Sequence, residues 1–283
     1  PAPAAASVFQ ERAETDMSRS HLQIIHSREN ATVEPVILEV KGLAKHFTSD
    51  ANEQINALKD LSFRVAQKEL VCLLGRSGCG KSTLLKLLAG FIKPSAGTIL
   101  LNGEPLRHSG PACCMVFQED ALFPWLTVRE NIAFGLAHRP LSRRQKQSEV
   151  NRFLDLVGLS DFGDYLPREI SGGMKQRVAL ARVMILQPRI LLMDEPFAAL
   201  DAQTREQMQD LLQELRRQFA PTILFVTHDV SEALLLADRV LLFDKNPGRI
   251  SHDIKIDLPT PRTINNEVFL QLRTHINGLL MDT

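Results

Sequence analysis

The run Leu73-Leu74-Gly75-Arg76-Ser77-Gly78-Cys79-Gly80-Lys81-Ser82-Thr83 sets one lysine and two hydroxyls behind closely spaced glycines. The pattern is G-x-x-x-x-G-K-[ST], the P-loop or Walker A arrangement, whose main-chain N–H groups cradle phosphates. A triphosphate carries several negative charges and must be held without bulky side chains in the way. Gly75, Gly78 and Gly80 let amides approach phosphate oxygens closely. A helix start behind them adds unpaired N–H donors and a positive dipole end. Lys81 would place its ammonium on the β- and γ-phosphates, and Ser82 would offer a hydroxyl to Mg²⁺. Hydrogen bonds to charged groups contribute roughly 1.5–3 kcal/mol each, so converging amides suffice to hold a nucleotide.

Other residues fit the same chemistry. Residues 190–193 are apolar and end in Asp194-Glu195-Pro196, a Walker B pattern. Asp194 would hold Mg²⁺ opposite Ser82, directly or through water, and Glu195 would polarise water for attack on the γ-phosphate. The apolar run 222–227 delivers His228 at its end, either to the γ-phosphate or to a structural role. Gln118 ends the apolar run 112–117, where a glutamine either contacts Mg²⁺ and the attacking water or is structural. Ser171 before Gly172 and Gly173 reads as an N-cap on a bare helix start, either an ordinary cap or an anion site. Phe47 either stacks on adenine or packs in the core.

These residues need strands that end where helices begin. Residues 69–74 read as a buried parallel strand and residues 83–89 as the helix after the loop. Further strands are expected at 36–40, 58–65, 98–101, 112–117, 190–194 and 222–227. Residues 239–243 and 250–256 read as a closing hairpin around the Asn246-Pro-Gly248 turn. Between 126 and 158 the pattern turns helical and more charged. Asp201 caps a helix carrying Met208, Leu211, Leu212 and Leu215 at helical spacing. Residues 265–283 read as a last amphipathic helix with Val268, Leu270, Leu272, Ile276 and Leu279 inward. Residues 1–35 are polar and poorly patterned, a flexible extension in which Met17 is a candidate natural start.

In the 283 residues, 33 lysines and arginines balance 33 aspartates and glutamates, so no net field draws the chain to nucleic acid. No apolar run reaches the ~20 residues that span a bilayer, so a membrane role must come through a partner. The four cysteines, Cys72, Cys79, Cys113 and Cys114, lack metal-ligand spacing, and a disulfide framework is not expected in a reducing compartment.

In this order the pieces resemble the ATP-binding cassette (ABC) family over residues 36–258. The resemblance rests on the P-loop, Gln118 as Q-loop glutamine, and Ile170-Ser171-Gly172-Gly173-Met174 for the LSGGQ signature. Asp194-Glu195, the D-loop Ala199-Leu200-Asp201 and the switch histidine His228 continue it. It implies an α/β P-loop NTPase core, RecA-like with a mainly parallel sheet. An N-terminal antiparallel β subdomain and a helical subdomain inserted at about 119–178 join that core; residues 259–283 form a C-terminal extension. It further implies a head-to-tail dimer with a second ABC ATPase subunit. ATP on one P-loop is covered in trans by Ser171, Gly172, Gly173 and Met174 of the other copy. Catalysis falls to Glu195 as base with His228, Gln118 and Lys81; Mg²⁺ falls to Ser82, Gln118 and Asp194; adenine falls to Phe47.

Residues 123–131, the Ser-Gly-Gly-Met-Lys-Gln-Arg177 segment, Asp194-Glu-Pro-Phe197 and Asn246-Pro-Gly-Arg-Ile250 look like importer ATPases for nitrate, sulfonate and taurine. Such a subunit works at the cytoplasmic face of the membrane with integral-membrane permease subunits, and through them with a solute-binding protein. Residues 118–135 would face the permease. The departures are Met174 for glutamine, Ile170 for leucine, Lys68 for a glycine, and Ala198 for serine or glycine. Two rival readings are a soluble cassette ATPase of DNA repair or translation, and a non-hydrolysing regulatory subunit.

Overall fold

The computed structural model describes residues 22–24 (backbone only), 35–48, 52–106, 110–117, 121–245 and 247–281. Gln118 and Asn246 lie outside the described residues. In chain order the elements are β1 (Leu22–Ile24), β2 (Val36–Thr48), β3 (Gln54–Ala66), β4 (Leu70–Gly75), α1 (Lys81–Leu88), β5 (Ala96–Leu101), β6 (Glu104–Pro105) and β7 (Cys113–Val116). They continue with α2 (Val128–Phe134), α3 (Arg143–Leu156), α4 (Gly172–Met184), β8 (Ile190–Asp194), α5 (Ala202–Phe219), β9 (Thr222–Thr227), α6 (Val230–Leu236), β10 (Arg239–Asp244), β11 (Arg249–Ile256) and α7 (Glu267–Met281). Two compact units arise: Pro1–Leu84, Pro94–Glu104 and Thr227–Thr283 form the first, Leu85–Lys93 and Pro105–Val226 the second.

In the first unit β2 pairs antiparallel with both β3 and β5. Along β3, Leu58, Leu61, Phe63 and Val65 are buried while intervening residues are exposed, the alternation of a sheet with one wet face. On β2, Glu39 takes the ammonium of Lys41 at 3.0 Å and Arg64 at 2.8 Å, and these partners hold its carboxyl below the usual range.

The other strands of this unit follow a different logic. All six residues of β4 are buried, so it reads as an uninterrupted apolar run. It runs parallel to β10, with Leu73 opposite Leu241, and β10 turns back antiparallel into β11. At its start β4 is pinned. Arg239 of β10 reaches Glu69 at 3.3 Å, Asp253 at 2.5 Å and the carbonyl of Arg64 at 2.9 Å. Burial pushes Glu69 up, whereas the bonds and charge of Asp253 outweigh burial on Arg239 and raise it. The Leu70 N–H donates to Asp238 at 2.8 Å. The strand is therefore anchored at one end and free to deliver a loop at the other.

The structure departs from the sequence expectation in two places. Leu22–Ile24, inside the segment expected to be flexible, pairs antiparallel with β11. A sheet edge offers unpaired N–H and C=O groups to any extended neighbour, which a reading of polarity cannot see. On α7 the inward face is Phe269, Leu272 and Ile276, and Leu270 is exposed. Spacings of three and four residues set that stripe, and Leu270 falls off it.

In the second unit β7, β8 and β9 run parallel. β9 is buried throughout and β8 through its first four residues. The helices start on side-chain caps, as their sequences dictate. Thr127 with Glu130 and Ser142 with Gln145 form capping boxes, and Asp201 caps α5 through the N–H of Thr204. That N–H, then the Thr204 hydroxyl, lower the Asp201 pKa. Met208, Leu212 and Leu215 form the buried stripe of α5.

Candidate nucleotide-binding site

The loop from β4 to α1 closes tightly. The Lys81 side chain is buried, and its ammonium donates to the carbonyls of Gly75 at 2.7 Å and Arg76 at 3.1 Å. Each such charge-assisted bond contributes roughly 1.5–3 kcal/mol, enough to fix the cation at the loop. Gly80 has φ +95°, and a Cβ there would lie 2.5 Å from Leu58 Cδ2 and 2.8 Å from the Ala57 carbonyl. Only glycine serves. Its carbonyl accepts the Leu84 N–H at 2.9 Å, which begins the helix. Arg76, Ser77, Gly78 and Ser82 are exposed, Thr83 is half-buried, and Cys79 is buried beside the lysine. A glycine turn, a fixed cation and the bare head of a helix make an anion receptor.

Within the same unit, Phe47 is 42% exposed, with the Lys45 ammonium 5.0 Å above its ring. The core alternative for this residue is thereby removed. His228 is exposed just past β9. The following Asp229 caps α6 through the N–H groups of Ser231 and Glu232. Lys68, in the turn before β4, has φ +66°, the left-handed conformation that glycine adopts without strain.

In the second unit β8 ends on Asp194, half-buried, and the chain turns sharply at Glu195, whose φ is +45°. The Glu195 N–H donates to the Val226 carbonyl at 3.1 Å, and its own carbonyl accepts the Ala198 N–H at 3.2 Å. These two backbone bonds hold the turn that follows the strand. Ala199 is exposed and Leu200 half-buried, leading into the Asp201 cap. Ser171 caps α4 by accepting the Met174 N–H at 3.3 Å. Gly172 is exposed, and a Cβ on it would meet nothing within 4 Å.

Two residues given no individual role in the sequence reading prove central to this unit. Gln176 is buried and donates from Nε2 to the Pro196 carbonyl at 2.7 Å. Its signal in the sequence is faint: a polar side chain four and eight residues from the buried Leu180 and Met184 must find a partner. Asn131, fully buried, accepts from the Phe123 N–H and donates to the carbonyls of Phe123, Leu126 and Thr127. It thus shapes a loop on which Phe123 packs against Phe134 at 4.6 Å and Trp125 at 5.7 Å. Trp125 is 72% and Phe134 52% exposed, an apolar patch on a rigid base.

The first unit carries the Ser82 hydroxyl and the second the Asp194 carboxylate, oxygen donors of the kind Mg²⁺ prefers. Among the described residues no cluster of three or more histidine, cysteine or acidic side chains forms a metal site by itself. Among the same residues no helix is long and apolar enough to cross a membrane.

Known proteins resemble the chain over most of its length. Residues 58–198 match the ABC transporter family. The chain is 42% identical over 247 residues to an uncharacterised ABC transporter ATP-binding protein of Methanocaldococcus jannaschii, covering 87% of this chain and 92% of that protein. It is 44% identical over 222 residues to a nitrate import ATP-binding protein of Synechocystis, covering 78% and 83% respectively. The fold is similar to the dimeric structure of a bacterial ABC transporter cassette, with TM-score 0.70 and 28% identity over 79% of this chain and all of that one. A dimeric post-hydrolysis ATP-binding cassette bound to ADP and Pi gives TM-score 0.68 and 27% identity over the same shares.

Proposed function

The chain belongs to the ABC transporter ATP-binding family, and from that premise we propose that it is the ATP-hydrolysing subunit of an importer for a small solute of the nitrate, sulfonate or taurine kind. The observation that carries the reading is the glycine turn that fixes the Lys81 ammonium at the head of α1. The nitrate-importing relative supplies the transport sense.

In this reading the amides of residues 75–83 bind the phosphates and Lys81 neutralises charge on the β- and γ-groups. Phe47 stacks on adenine. Ser82, Asp194 and Gln118 would hold Mg²⁺, which would offset charge on the transferred phosphoryl group. Glu195 takes the proton of the attacking water, and His228 orients the γ-phosphate. Ser171, Gly172, Gly173 and Met174 of a second copy complete the site, with Ala199, Leu200 and Asp201 at the contact between copies. Gly172 supports that role: nothing within its own subunit requires a glycine there, whereas a phosphate arriving at a bare helix start does. Closure of the dimer on ATP and reopening after hydrolysis would move the Phe123–Trp125–Phe134 patch. That patch is assigned to the permease at the cytoplasmic face of the membrane, with a solute-binding protein delivering to the permease.

Phosphate release from ATP by the purified chain, read beside ATP-dependent dimerisation, tests the catalytic part. Detergent-solubilised pull-down tests the partner: recovery of an integral-membrane permease supports import, and recovery of ribosomes or DNA instead overturns it.

A further inference from the structure

Among the described residues few polar side chains are buried, and Gln176 is one that the hydrolytic scheme leaves unused. Its amide sits on the inward face of α4 and donates at 2.7 Å to the carbonyl of Pro196, the residue directly after Glu195. Pro196 is itself buried, so without this donor its carbonyl would lose a partner away from water. The turn it steadies is the one held in the left-handed conformation at Glu195.

Further contacts join the same pieces. A Cβ on Gly173 would lie 2.4 Å from Thr204 Cγ2, so the head of α4 rests directly on the head of α5. Thr204 is fixed in turn, its hydroxyl donating to Asp201 at 2.7 Å and its N–H at 3.0 Å. Lower on α4, Arg177 donates to Gln207 of α5 at 2.9 Å and to the Val157 carbonyl at 3.2 Å. The serine–glycine helix start, the Glu195 turn and the D-loop cap thus form one braced assembly within the second unit. Gln176 is its link to the base.

We propose that Gln176 is a positioning residue that couples the two nucleotide sites of the dimer. The proposal rests on the reading above, in which the head of α4 covers the partner's ATP while Glu195 serves its own. A helix start drawn onto one nucleotide then pulls, through Gln176 and the Pro196 carbonyl, on the base that acts on the other. Hydrolysis at each site reports on occupancy of its neighbour.

The test replaces the amide while keeping its volume, Gln176→Met, with Gln176→Glu as a second variant that keeps shape and polarity but cannot donate when ionised. ATP affinity is measured on the monomeric chain, and turnover against ATP concentration on the full dimerising protein. Monomer affinity should stay within about two-fold, because Gln176 touches no nucleotide. Turnover should fall about ten-fold as the base loses its alignment. The Hill coefficient should fall from about two towards one, since two coupled sites set the upper limit. In dimers mixed with Glu195→Gln, wild-type subunits should be slowed by their inactive neighbour, and Gln176→Met subunits should not. Equal Hill coefficients and equal sensitivity to the inactive neighbour in wild type and both variants would overturn the coupling. A wild-type chain that hydrolyses no ATP and forms no ATP-dependent dimer would instead remove the reading beneath it.

Discussion

At the head of α1, a methyl on Gly80 would sit 2.5 Å from Leu58 and 2.8 Å from a backbone oxygen; at the head of α4, a methyl on Gly172 meets nothing within 4 Å. Both helices begin on glycine-rich turns, yet Gly80 is required by its own surroundings and Gly172, unlike the Gly173 beside it, is not. The P-loop is built by its own subunit, against β3 and β10, and fixes its cation with its own carbonyls. The head of α4 is capped by Ser171, packs on Thr204 at Gly173 and leaves Gly172 exposed. In the proposed dimer the P-loop and this helix tip are the two halves of a shared site.

Removing the base while leaving both helix heads intact gives the largest effect. Glu195→Gln should slow phosphate release by ~10²–10⁴-fold with ATP still bound. A fast variant would strip Glu195 of its role. Next, Gly80→Ala should destabilise the chain by about 2–4 kcal/mol, from left-handed strain plus a clash that backbone cannot relieve. Denaturant unfolding reads it, and a near-wild-type midpoint would break the contrast from the P-loop side. Gly172→Ala attacks the other side. Stability should stay within about 0.5 kcal/mol, as for ordinary surface substitutions. Phosphate release should nevertheless fall about ten-fold, from crowding where the partner's phosphate must approach. Lost stability with retained turnover would reverse the assignment. The smallest effect sharpens the rule at a position that adopts glycine geometry without glycine. Lys68→Gly should raise stability by about 0.5–1 kcal/mol, because φ +66° strains a side chain.

Much of the site was legible because its signals are local. The P-loop, the acid pair after an apolar run, and the caps at Ser171 and Asp201 depend on a few neighbouring residues and fell where expected. Phe47 was undecidable from its own pattern, since exposure depends on strands distant in sequence. Gln118 lies outside the described residues. Gln176 and Asn131 carried only a faint mark, a polar residue on a buried face, because their partners at Pro196 and in residues 123–127 lie on other segments.

By itself the sequence determined the strand–loop–helix chemistry, the buried parallel strands and the helix starts, since backbone conformation, capping and apolar periodicity are set by near neighbours. The tertiary structure alone decided that β1 joins the edge of β11, that α7 turns Leu270 outward, and that Gly80 is walled in while Gly172 stands open. Space around an atom belongs to whatever chain folds against it, and no local pattern records that.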